Sequence, residues 1–268
     1  MRELRSLLTI TVLITLWQSA HAQSPVSAKE VEPGIISAER PDQTNSPDLV
    51  PQGFVQIESG FVRETDKSGD VKTINYLYNT SLIRYAPIND LELRILIEYA
   101  GQRIERGDLL YNVEGFHPLS VGMKIPLVDQ TGPIPEASFE ASVALPYLAS
   151  SPFKPNSVTP SFFLLCENEI SDRLSLGYNI GVKWDGISPN ATSAVTTSLG
   201  TEVFERVNVF LEWYMYATKH SSADHRSDWG LSYFVGKNFV VDVSGGVGLS
   251  KSAPDGFVSF GFSWRIPR

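Results

Sequence analysis

Ionisable side chains recur at even spacing along several stretches of this chain, which is what one polar face of a strand requires. Glu92, Arg94 and Glu98 share one parity, as do Lys183 and Asp185, and Lys124, Glu140 and Glu212 hold polar positions in three further segments. Charges of both signs on one wall admit water and polar solutes and set a transverse field. The plainer alternative is that they solvate an interior and pair with one another. A second group, Arg40, Asp42, Asn45 and Asp48, is set among Pro41, Pro47 and Pro51, which stiffen the backbone and block helix or ladder pairing. Such a segment could fold into a lumen and narrow it. Arg40 would then need a wall carboxylate, such as Glu58, Glu92 or Glu98. The competing expectation is a disordered tether.

Little else points to chemistry. His220 and His225, with Asp224 and Asp228, fall in a predicted loop over 219–228, but their spacing matches no strong metal motif, so no metal is assigned. A barrel lipase would need a Ser-His pair, and neither a His-x-Ser-Asn-Gly nor a Gly-x-Ser-x-Gly sequence is present. His117 is the sole histidine in a predicted strand. No catalytic residue and no cofactor are assigned, and catalysis is not expected. Cys166 reads as an inert thiol facing lipid or core.

The elements that must position these side chains are strands. Leu174, Leu176, Tyr178, Ile180, Val182 and Trp184 point one way, against Ser175, Gly177, Asn179, Gly181 and Lys183. Leu91–Tyr99, Val207–Met215 and Phe239–Leu249 repeat the pattern, each with one apolar and one polar face. The periodicity predicts twelve strands: 53–64, 72–86, 89–104, 115–128, 137–148, 159–170, 173–185, 193–203, 206–217, 228–236, 239–250 and 256–266. Short links at 87–88, 171–172, 204–205 and 237–238 alternate with long ones at 105–114, 149–158, 186–192 and 218–227. That alternation suits an up-and-down meander with different solvents at its two ends. The link 129–136 is long where a short one is due.

The start of the chain reads as an address. Arg2 and Arg5 precede an apolar run over Leu7–Trp17, and Ala20-His21-Ala22 supplies a small-x-small cleavage site. Residues 1–22 are therefore expected to be a secretory signal. Its removal leaves 20 basic and 29 acidic residues, net −9, which argues against a nucleic-acid partner. A single Cys excludes a disulfide framework. No later stretch reaches about 18 uninterrupted apolar residues, so a helical membrane protein is excluded, while a closed barrel is not.

A soluble β-sandwich also has one apolar face per strand, and a secreted or surface binding protein of that kind is the runner-up. Several strands are long enough to cross a bilayer at a tilt, and Tyr99, Tyr147, Trp184, Trp213, Trp229 and Trp264 sit near strand ends as interfacial girdles would. The last strand, Ser259-Phe260-Gly261-Phe262-Ser263-Trp264-Arg265-Ile266, resembles an outer-membrane insertion signal, although the chain ends in Arg268.

The segment Glu39-Arg40-Pro41-Asp42-Gln43-Thr44-Asn45-Ser46-Pro47, then Pro51-Gln52-Gly53 and Gln56-Ile57-Glu58-Ser59-Gly60-Phe61, resembles the opening of the "Putative MetA-pathway of phenol degradation" family of outer-membrane barrels. Gly122–Leu127 adds a weaker match. The resemblance implies an outer-membrane channel for a small solute, associated by name with aromatic or other hydrophobic compounds, and it transfers no catalytic residues. The expected organisation is a signal at 1–22, a Pro/Ser-rich periplasmic leader or plug at 23–52, and an all-β up-and-down transmembrane barrel of about twelve strands at 53–268, in the outer membrane of a Gram-negative bacterium. Its expected partners are outer-membrane lipid, a small solute and the barrel assembly machinery. A passive channel is the first reading; an outer-membrane lipid hydrolase is a minor one.

Overall fold

The computed structural model describes residues 33–267. The signal at 1–22 and the leader up to residue 32 lie outside the described residues. From Ile35 onward the chain is one compact unit. Its strands are β1 (Val55–Ser68), β2 (Val71–Ile88), β3 (Leu91–Arg106), β4 (Leu109–Phe116), β5 (Leu119–Val128), β6 (Glu136–Leu145), β7 (Thr159–Ser171), β8 (Leu174–Lys183), β9 (Thr192–Phe204), β10 (Val207–Thr218), β11 (Asp224–Gly236), β12 (Phe239–Gly248) and β13 (Gly256–Arg265). Chain neighbours pair antiparallel except β4 and β5, which both pair with β3, and β1 pairs with both β2 and β13, so the sheet closes on itself. The upper half of β3 pairs with β4 and its lower half with β5. These two share one place in the wall, and the thirteen strands make a closed twelve-stave barrel. The runner-up sandwich does not fit a sheet without edges.

The break at His117-Pro118 divides a strand expected over 115–128. Pro118 has no N–H to give the ladder, so pairing resumes only at Leu119. The expected long link 105–114 is instead a tight hairpin. Pairing runs from Tyr99 opposite Phe116 to Arg106 opposite Leu109, and the turn is closed by Gly107 at φ 55°. Residues 105–114 lack an apolar parity because this hairpin rises above the lipid belt, where neither face must be apolar. The loop expected over 219–228 is also shorter, since β11 begins at Asp224, opposite Tyr216. Period two then sends His225 outward against the Trp213 ring while Asp224 and Asp228 point inward. The imidazole and the carboxylates therefore do not converge.

The barrel is apolar outside and charged inside. Leu93, Ile95, Met123, Ile180, Leu211, Trp229, Val243 and Phe260 are exposed, whereas Glu58, Arg84, Glu92, Lys124, Glu212 and Asp228 are buried. No aqueous protein could bear so continuous an exposed apolar belt, and only closed barrels and helices satisfy every backbone group in lipid. On the outer face, Phe61, Tyr76, Tyr78, Tyr99, Phe116 and Phe260 form a chain of ring contacts, an aromatic girdle. Leu211 lies mid-strand on this face and is 60% exposed. Leu211→Arg is expected to destabilise the barrel by about 2–4 kcal/mol in a guanidinium titration in lipid vesicles. Wild-type stability would refute the assignment of that face to lipid.

Candidate functional site

The polar lumen is occupied by the chain's own leader. Residues 36–52 carry no helix or strand, so their backbone groups must find partners elsewhere. Wall side chains supply them. Glu58 Oε2 accepts from the backbone N–H groups of Glu39 at 2.9 Å and Arg40 at 3.1 Å. Glu92 Oε2 accepts from Val50 N at 2.8 Å, and Glu212 Oε2 from Gln43 N at 2.8 Å. The leader's carbonyls receive donors in turn: Ser37 O from Gln56 Nε2 at 2.8 Å, Ser46 O from Lys124 Nζ at 2.8 Å, Pro47 O from Ser138 Oγ at 2.6 Å and Asp48 O from Arg84 Nη2 at 2.9 Å. Pro41, Pro47 and Pro51 leave that backbone few conformations, which lowers the entropy lost on docking.

A buried charge network holds one side of the leader. Four carboxylates, Glu39, Glu58, Glu92 and Glu140, meet three cations, Arg84, Arg94 and Lys124. Arg84 reaches Glu58 at 3.0 Å, Glu92 at 2.9 Å and Glu39 at 3.6 Å. Arg94 grips Glu39 through both terminal nitrogens and reaches Glu92 at 2.8 Å and Glu140 at 3.4 Å. Lys124 Nζ lies 2.5 Å from Glu39 Oε1. The surplus negative charge is compensated by the backbone donors on Glu58 and Glu92.

The Arg40 guanidinium takes a wall carboxylate other than Glu58, Glu92 or Glu98, while its backbone N–H goes to Glu58. Its guanidinium binds Asp242 at 2.9 Å and Ser259 Oγ at 3.0 Å, because the leader crosses the lumen at this point toward β12 and β13. Its side chain fits only because Gly60 and Gly261 face one another across the β1–β13 ladder. A Cβ on Gly261 would lie 2.5 Å from Arg40 Nε, and one on Gly60 2.5 Å from Nη1.

The remaining sequence-derived candidates divide. Asp42 lies beside Ser198 and Glu212, and Glu212 also accepts from Thr44 Oγ1. Asn45 Nδ2 donates to Glu140 at 3.4 Å. Glu98 instead faces His117, whose Nδ1 is 2.9 Å away, and Lys183 lies 4.2 Å over the Tyr216 ring. Neither has a bond to the leader among the described residues. Sequence reasoning did not select Arg84, Glu39, Gln56 or Ser138. Gln56 and Glu58 do share a parity on β1, a signal that was available. The parity of Arg84 is obscured by the irregularity between Leu77 and Asn79 in β2.

The leader does not fill the whole lumen. A cavity of about 970 Å³ remains between it and the wall of β7–β12. It reaches the tight turns Asp172-Arg173 and Glu205-Arg206, at the end where the leader enters.

The model of the family described as "Putative MetA-pathway of phenol degradation" matches residues 38–266, which include the later part of the leader and every strand of the barrel. The chain belongs to this family. No curated protein matches the sequence. Among solved structures, the family member resembles the COG4313 outer membrane channel from Pseudomonas putida F1, with a TM-score of 0.62, 10% identity, and coverage of 82% of this chain and 97% of that one. The transport unit of the autotransporter AIDA-I from Escherichia coli aligns with a TM-score of 0.55 and 10% identity over 81% and 91% of the two chains. A KdgM porin in complex with disordered oligogalacturonate aligns with a TM-score of 0.53 and 11% identity over 80% and 99%. At these identities the likeness is one of fold. Family, fold and lipid-facing belt together place this member in the Gram-negative outer membrane as a closed β-barrel.

Proposed function

We propose that this protein is a non-catalytic outer-membrane channel for passive uptake of a small solute, with residues 23–52 as a periplasmic leader whose later part plugs the lumen. One observation carries this reading: the leader's backbone groups are bonded to wall side chains on β1, β2, β5, β6 and β10, while an open cavity runs beside it along β7–β12. A tether would have no such set of partners, and a filled structural barrel would have no such space. The finer reading is a hydrophobic or aromatic solute. Phe210 and Phe234 on the cavity wall support it by offering ring faces beside polar groups. Insertion by the barrel assembly machinery, directed by the alternating pattern of β13, belongs to the same proposal.

The test is planar-bilayer recording of the refolded mature chain. Discrete, steady conductance steps are expected. Silence from a chain that still shows heat-modifiable barrel mobility on a gel would overturn the channel reading. The lipid-hydrolase reading has no comparable support, since among the described residues no serine hydroxyl is bonded to a histidine ring, and His117 bonds Glu98 and packs edge-on against Phe153 at 4.9 Å.

A further inference from the structure

The two sides of the leader differ in how their charges are paired. Arg84, Arg94 and Lys124 are all consumed in the network on the β2, β3 and β5 side, within 4 Å of carboxylates. The open cavity on the other side keeps the acids. Two of its lining cations are matched locally, Arg40 by Asp242 at 2.9 Å and Arg206 by Glu205 at 3.8 Å. Apart from these two pairs the lining carries Asp42, Asp48, Glu167, Glu169, Asp172 and Glu202 together with Arg173 and Lys237, six formal negative charges less two positive, formally −4. Among the described residues, none of those six carboxylates has a Lys or Arg nitrogen within 4 Å. A cleft lined by one sign of charge between low-dielectric walls focuses the field and concentrates the opposite ion.

We propose that the residual passage beside the leader selects for cations, so that small inorganic or organic cations and neutral solutes pass while anions are excluded. This rests on the channel reading above. The selecting residues cluster at the leader's end of the cavity. Glu169, Asp172 and Glu202 are exposed or half-buried on β7, on the β7–β8 turn and on β9, so they meet a solute at the mouth. The space of about 970 Å³ beside them is large enough to admit hydrated ions and small organic molecules.

Reversal potentials of the full mature chain in a KCl gradient at pH 8 test the inference. The expected permeability ratio of K⁺ over Cl⁻ is roughly threefold or more. In the triple variant E169Q/D172N/E202Q the formal charge of the lining falls from −4 to −1, and the ratio should fall toward one. Acidification of the bath should act in the same direction, because protonation neutralises the carboxylates. Should the triple variant insert poorly, D172N alone, on an exposed turn, should give a partial reduction. Conductance with a ratio at or below one, or a ratio unmoved by the variants, overturns the inference while leaving the channel intact. Absence of any conductance would instead sink the channel reading itself.

Discussion

Deletion of residues 23–50 is expected to raise single-channel conductance several-fold. In the intact chain the leader spans from β12 and β13, through Arg40, to β5 and β6, through Ser46 and Pro47, and thus occupies much of the lumen cross-section. A barrel of about twelve strands is wider than the side-chain-filled eight-strand kind, so removing its filling should leave a water-filled pore. The wall should tolerate the loss. Arg84 keeps Glu58 and Glu92, and Arg94 keeps Glu92 and Glu140, as wall partners after Glu39 has gone, while incoming water hydrates Lys124, whose bonded partners Glu39, Ser46 O and Asp48 O all leave with the deleted segment. Heat-modifiable mobility should therefore be retained. Conductance equal to that of the full chain would show that residues 23–50 do not obstruct the path, and the plug would have to be abandoned.

Replacing Arg84 is the second large effect. Its side chain is 1% exposed and joins Glu58 and Glu92 on the wall to the carbonyls of Ser37 and Asp48 on the leader. Arg84→Met roughly preserves the bulk, yet leaves Glu58 and Glu92 buried without their main cation. Removing one partner of a buried ion pair typically costs about 3–5 kcal/mol. Some of that cost should be relieved by releasing the leader and admitting water. The expected signature is therefore twofold: a lower guanidinium midpoint, and current bursts approaching the level of the deletion variant. Combining Arg84→Met with Glu92→Gln should recover part of the stability, because one of the stranded charges is then gone. An Arg84→Met variant with wild-type midpoint and quiet current would show that this network does not hold the leader.

How much of this was legible in the sequence follows from the range over which each signal acts. Period two is local: Glu92 and Arg94 against Leu93 and Ile95 can be read residue by residue, and their faces match the polar lumen and the lipid belt. The density of Pro and polar groups over 40–52 likewise marked a segment that had to be satisfied by something other than a ladder. Where local pattern failed, a reason can be named. The β3–β4 hairpin rises out of lipid and loses its parity, Pro118 interrupts a strand, and the start of β11 is set by its partner Tyr216.

The sequence by itself determined a barrel-forming alternation, its polar and apolar faces and a stiff polar leader, because each depends on side chains a few positions apart. Only the tertiary structure decided that the Arg40 guanidinium meets Asp242, 202 positions away, while Glu58 takes its backbone N–H. It alone placed Gly60 opposite Gly261 to admit that guanidinium, and it alone left the acids of β7–β9 facing open space. Alternation states which face a charge occupies. Which charge it meets across the lumen depends on ring closure and strand register, and these are set by the whole sheet at once.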